Sequence, residues 1–224
     1  MNCTRGFECP GASDRKACAK GKFQDQPTQG HCNLCESGKY QDQEEQTSCK
    51  SCPDGHFCIQ GSTRTIECGS AQLYCPANSA SVRIVGAGNY SLPEDETRTS
   101  TRSDQAECPV GHKCIGGKRY NCKNEEYADQ PGSTTCTTCT TCSPGHMIMA
   151  GRDCNSTHDR QCQQCEEGAY SNASNTAECS ACPAGHYCGK GSREPTPCAR
   201  GSYQDEAEQS ACKACAGGSF QDVA

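Results

Sequence analysis

Cys18-Ala-Lys-Gly21-Lys-Phe23-Gln24-Asp25-Gln-Pro-Thr-Gln-Gly-His-Cys32-Asn-Leu-Cys35 sets a ruler for the whole chain: C-x13-C-x2-C. The same ruler recurs at Cys35/Cys49/Cys52, Cys122/Cys136/Cys139, Cys165/Cys179/Cys182 and Cys198/Cys212/Cys215. Repetition of one spacing implies a tandem array of small cross-linked loops. The opening phrase repeats as well. Cys35-Glu-Ser-Gly38-Lys-Tyr40-Gln41-Asp42 and Cys198-Ala-Arg-Gly201-Ser-Tyr203-Gln204-Asp205 match it closely, and Cys215-Ala-Gly-Gly218-Ser-Phe220-Gln221-Asp222 begins the same way. Cys165-Glu-Glu-Gly168-Ala-Tyr170 and Cys122-Lys-Asn-Glu125-Glu-Tyr127-Ala-Asp129 are weaker copies. Glycine there suits a turn needing positive φ or close backbone approach. The aromatic packs on the nearest disulfide, and the Asp is expected to bond its own following amides and close a turn.

The wider composition forces the same conclusion. Cys occurs 25 times in 224 residues, while Leu, Ile, Val and Phe together number 16 and Trp is absent. Without its cysteines such a chain falls near the disordered class. Crosslinks replace a core by shrinking the unfolded ensemble, by about 3 kcal/mol for a loop of about 15 residues. They persist only in an oxidising space, so the expected setting is extracellular, secreted or cell-surface. Sequons at Asn2, Asn89, Asn155 and Asn172 agree with an exported, glycosylated chain. The net charge of -6, with signs interspersed, argues against nucleic acid as a partner. No apolar run reaches membrane-span length. Met1-Asn-Cys-Thr-Arg-Gly is not a signal peptide, which implies a processed chain or a segment of a longer one.

Two further loop types vary the ruler. C-P-x-G-H-x-C appears at Cys52–Cys58, Cys108–Cys114 and Cys182–Cys188, and Cys3-Thr-Arg-Gly6-Phe-Glu-Cys9 keeps its Cys and Gly spacing. In these the closing cysteine has moved forward: Thr65 and Ile66, or Pro195 and Thr196, occupy the vacated positions. The third type, Cys139-x2-Cys142-x11-Cys154-x7-Cys162, places two close openers before two separated closers, a spacing that suits crossed pairing.

None of these motifs reads as catalysis. C-x2-C pairs elsewhere bind zinc or run redox chemistry, but here one cysteine closes a loop and the next opens another. His56, His112, His146 and His186 share a register after glycine without neighbouring ligands, and capping a turn or packing on a disulfide is favoured over a metal or pH role. A hydrolase elbow such as G-x-S-x-G is missing, and one carboxylate per repeat is too few for calcium. The expectation is no enzyme, no cofactor, no metal site and no catalytic residue.

From Cys122 to Cys162 the chain resembles a six-cysteine repeat of the tumour-necrosis-factor receptor family, with Ser143-Pro-Gly145-His146 and Asp159 in keeping. That resemblance implies Cys122–Cys136, with Cys139–Cys154 and Cys142–Cys162 crossed. Almost all the rest, except residues 76–107, resembles ephrin-receptor-like cysteine-rich repeats, C-x2-G-x-[Y/F]-x-D...C-x2-C. The implied fold class is small and disulfide-rich: an elongated tandem array of irregular loops and short β-hairpins, with almost no helix and no central hydrophobic core.

Sequential closure gives Cys3–Cys9, Cys18–Cys32, Cys35–Cys49, Cys52–Cys58, Cys68–Cys75, Cys108–Cys114, Cys122–Cys136, Cys165–Cys179, Cys182–Cys188 and Cys198–Cys212. With the crossed pair this leaves Cys215 unpaired, its partner expected about fourteen residues further on. An interleaved pairing of the sets 3/9/18/32, 52/58/68/75, 108/114/122/136 and 182/188/198/212 satisfies the same parity, so both remain open. The expected organisation is repeats over 1–75, a cysteine-free insert or large loop over 76–107, repeats over 108–164 including the receptor-like module 122–162, and repeats over 165–224. The favoured function is a non-enzymatic structural segment of a larger secreted or cell-surface glycoprotein. It would serve a coat, matrix or filament and pack against copies of itself or other extracellular proteins, without membrane insertion. The alternative is a ligand-binding receptor or adhesion ectodomain.

Overall fold

A cysteine, a glycine turn and a two-residue strand make the unit of this fold, as the repeat opened by Cys35 shows. Gly38 turns the chain at φ 86°, and Lys39–Tyr40 runs out to pair antiparallel with Lys50–Ser51. The Gly38 amide donates to the Cys58 carbonyl of the next repeat at 2.7 Å, and its own carbonyl accepts from Cys52 N at 2.9 Å. A Cβ on Gly38 would overlap the carbonyl oxygen of Asn78, two repeats on. Gly168 meets Glu208 in the same way. Only glycine combines that φ with that approach.

The computed structural model describes residues 3–11 and 14–217. Among them every sheet has two strands, each paired with its neighbour along the sequence. The only helix there is the 3-10 turn Glu96–Arg98. Strands this short cannot stand alone in water. What holds them is sulfur: apart from Ala71 and Ala128, each buried hydrophobic side chain of the described residues is a cysteine.

Twelve disulfides join the described residues. Six-residue steps link Cys3–Cys9, Cys52–Cys58, Cys108–Cys114 and Cys182–Cys188, and a seven-residue step links Cys68–Cys75. Steps of 14 link Cys18–Cys32, Cys35–Cys49, Cys122–Cys136, Cys165–Cys179 and Cys198–Cys212. Cys139–Cys154 and Cys142–Cys162 cross one another. Cys215 is a free, half-buried thiol.

The chain divides into two compact units, one of Met1–Pro109, Lys113–Tyr120 and Gln130–Thr135, the other of Val110–His112, Asn121–Asp129 and Cys136–Ala224. Single-disulfide loops occur in both units, and the second also carries the crossed pair.

Residues 76–107 do not loop away from the first unit. Leu73–Tyr74 pairs with Arg83–Ile84, and Asn89–Leu92 pairs with Asp104–Glu107. Val85 stands where a cysteine opens the other repeats. Its amide donates to Gln72 O at 2.9 Å, as Cys52 N does to Gly38 O. Val85-Gly-Ala-Gly88-Asn-Tyr90 is thus the opening phrase with Val for Cys, and Cys108 N closes on Gly88 O at 2.8 Å. What departs from the repeat is residues 93–102, pinched at the base by Ser103 N on Leu92 O at 2.7 Å.

Candidate functional site

The repeated Gln-Asp pair splits its work in a way the sequence did not indicate. Gln24, Gln41 and Gln204 are buried and close their own loops. Gln41 Nε2 donates to Ser48 O at 2.7 Å while its Oε1 accepts from Gln43 N at 3.1 Å. Gln24 bonds His31 O and Gln26 N, and Gln204 bonds Ala211 O and Glu206 N, in the same pattern. The amide has both a donor and an acceptor, so it satisfies a carbonyl and an N–H, where a carboxylate, which only accepts, would satisfy the N–H alone. The Asp beside it faces out. Asp42 meets Lys50 at 2.6 Å and Asp205 meets Lys213 at 2.7 Å. Each lysine's hydrogen bond holds its partner's carboxyl below the usual range. Cys58, Cys114 and Cys188, three residues after their glycines, fill the buried position that Gln takes elsewhere.

The four histidines lie on separate hairpins. His56, His112 and His186 each place Nδ1 on the carbonyl of the residue two before, at 3.0, 2.9 and 3.3 Å, and His146 places it 3.4 Å from Ser143 Oγ. Each ring is thus engaged within its own turn. Among the described residues no three His, Cys, Asp or Glu gather as metal ligands.

Two buried arginines, neither singled out from the sequence, mark the places where the repeat changes character. Arg160, in the crossed-disulfide module, has a side chain 3 % exposed and is fully answered. Its Nη2 donates to both Glu125 oxygens at 2.8 and 2.9 Å, its Nε to Asp153 at 2.8 Å and its Nη1 to Thr140 O at 3.0 Å. Glu125 sits in the glycine position of its repeat at φ 62°, and Cys139 N bonds its carbonyl as it would a glycine's. Asp159 binds the Thr140 amide at 2.7 Å and hydroxyl at 2.6 Å. Hydrogen bonds from Arg160 hold Asp153 low, those from Thr140 hold Asp159 low, and Glu125 followed by Asp153 raises Arg160 further.

Arg102 is the opposite case. In successive repeats the amide after the first strand donates to a buried residue: Gln41 N to Ser62 O, Cys58 N to Ser79 O and Cys75 N to Arg102 O. Ser62 and Ser79 are small and answered, their hydroxyls donating to Ile59 O at 2.7 Å and Pro76 O at 2.6 Å. Arg102 occupies that position at 4 % exposure, and its Nε and Nη1 are buried without an acceptor. It lines a cleft of about 110 Å³ bordered by the 93–102 excursion and the turn Gly117-Lys118. Over this cleft Arg119 pairs with Glu94 at 2.7 Å and lies 5.1 Å above the Tyr90 ring. Comparison of Cys75 with Cys58 would have exposed this position, but the missing cysteine at 85 hides the register.

Of the sequons, Asn172 is exposed and Asn89 is half-buried in its strand. Asn155 is exposed, but its Oδ1 accepts from Thr157 N and His158 N and its Nδ2 lies 3.2 Å from His158 Nε2. Asn2 and the phrase from Gly218 to Asp222 lie outside the described residues.

A family model described as tyrosine-protein kinase ephrin type A/B receptor-like matches residues 21–68 and 185–224. A second, the TNFR/NGFR cysteine-rich region, matches residues 122–162. No curated protein matches the chain. The chain is a cysteine-rich repeat array resembling these families, and its modules are of extracellular receptor type. Together with the disulfides they point to an extracellular or cell-surface setting. No described helix is long and apolar enough to cross a membrane.

Proposed function

We propose that this chain is a non-catalytic extracellular recognition segment, in which a disulfide-stapled array presents one irregular stretch, residues 82–107 with the turn at 115–118, to a partner protein. The observation that carries the reading is the change in two successive repeats. Val85 replaces an opening cysteine, and Arg102 replaces a small answered serine. The first forgoes a crosslink worth about 3 kcal/mol. The second buries a charge without a partner. Features that weaken a uniform scaffold at one place mark function there. Ile84, at 78 % exposure, and exposed Ile115 and Tyr120 supply apolar anchors in the same unit.

One observation favours a second reading, self-association in a coat, matrix or filament with sugars at Asn155 and Asn172 as part of its surface. The exposed Asp42–Lys50 pair of one repeat is duplicated by Asp205–Lys213 on another, a surface that regular packing could reuse. Sedimentation velocity on the oxidised, secreted chain over a range of concentrations separates the two. Recognition requires a monomer that binds intact cells saturably and loses that binding on Ile84→Asp with Ile115→Asp. Growth of particles with concentration would transfer the case to assembly.

A further inference from the structure

We infer that the cleft over Arg102 binds a small oxyanion, a carboxylate or a sulfate. A guanidinium keeps its proton at any physiological pH, so burial cannot neutralise it. Its charge must be met by an anion or remain uncompensated at high cost. Arg160 shows how this chain treats a buried arginine that serves structure alone: two carboxylates and a carbonyl surround it. No carboxylate among the described residues makes a hydrogen bond or ion pair with Arg102, although Asp95 lies near enough to feel its charge. Glu94 is engaged by Arg119, with Oε1 on its Nε at 3.1 Å and Oε2 on its Nη2 at 2.7 Å. Asp95 is engaged by the Thr97 amide at 2.8 Å and hydroxyl at 2.6 Å.

The charges lining the cleft therefore do not cancel. Glu94 offsets Arg119, and Arg102 and Lys118 are left, both without an ion pair among the described residues. Nε and Nη1 of Arg102 touch no solvent, so an answering charge would meet the guanidinium through the part of the residue that lines the cleft. The space fits such a group. A water takes about 30 Å³ of liquid, and a cleft of about 110 Å³ has room for one oxyanion and a water beside it. Water alone would bond N–H groups but leave the charge unanswered. In the equivalent position Ser62 and Ser79 need no ligand.

The inference deepens the recognition reading and rests on it for its biological purpose. Its test uses the complete oxidised chain with nitrogen-15 label. The Arg102 guanidinium and the amides of Gly117 and Lys118 are followed by NMR during titration with sodium sulfate, sodium acetate and sodium chloride at matched ionic strength. Saturable shifts with sulfate or acetate, and none with chloride, are expected; the tighter of the two names the ligand's acid group. Arg102→Met should weaken binding by about tenfold or more, the loss of one charge-assisted contact. Lys118 is exposed, so Lys118→Glu should abolish saturation without disturbing the fold. Linear shifts alike for all three salts, or wild-type affinity in Lys118→Glu, would overturn the site. A monomer that binds cells but no anion sinks the cleft alone, and an assembling chain that binds anion sinks the recognition reading alone.

Discussion

At the scale of single residues, the buried glutamine is the most repeated polar device in the chain. Gln41 serves an amide and a carbonyl that its short loop cannot otherwise satisfy. Gln41→Leu keeps the bulk and removes both bonds, so we expect a loss of about 2 kcal/mol. Hydrogen exchange checks it, with the Gln43 amide exchanging faster and distant repeats unaffected. Cysteine and glycine positions were legible in the sequence because each is dictated by a covalent or steric demand. The roles of Gln and Asp were not, since either side chain can close a turn and only burial separates them. Arg102 and Arg160 were hidden for a related reason: a charge in a polar stretch reads as solvated until its surroundings are known.

At the scale of the element, the glycine turn and the crossed-disulfide module give opposite expectations. Gly38→Ala combines a φ of 86° with a clash on the Asn78 carbonyl. Backbone strain of that kind costs about 1–3 kcal/mol. Because each repeat touches only those within two steps of it, exchange protection should fall in the repeats opened by Cys35, Cys52 and Cys68 and hold elsewhere. In the second unit, Asp153 and Asp159 titrate below their ordinary value of 3.8 when folded. Their contribution is therefore present above the unfolded value and lost as pH falls through the folded one. Melting temperature should be flat from neutral pH to about pH 5 and decline below it. Asp159→Asn should flatten that decline, and an unchanged acid profile in the variant would count against the Thr140–Asp159 link. The hairpins themselves were readable from the ruler. The repeat at 85–108 was not, because the array was aligned on cysteine and this copy has Val85 in its place.

At the scale of the whole molecule, the sulfur bookkeeping is the decisive measurement. Non-reducing peptide mapping should return the twelve pairs described above, with Cys215 in none of them. A Cys3–Cys18 or Cys52–Cys68 peptide would establish interleaved pairing instead. The absence of an ordinary core was legible from composition, since so few aliphatic residues leave only cysteine to bury. The division into two units was not, because it depends on which repeats stack and no spacing along the chain records that.

Among the described residues no bridge reaches further along the chain than the 20 residues between Cys142 and Cys162. A pull on the two ends would therefore be carried between repeats by hydrogen bonds and ion pairs rather than by sulfur, with each closed loop withholding its own slack. Under load the protein would lengthen in many small steps rather than rupture once, and a reducing agent would release the withheld length. Such a segment behaves as a tether of limited reach, able to yield at one joint while its neighbours keep their form.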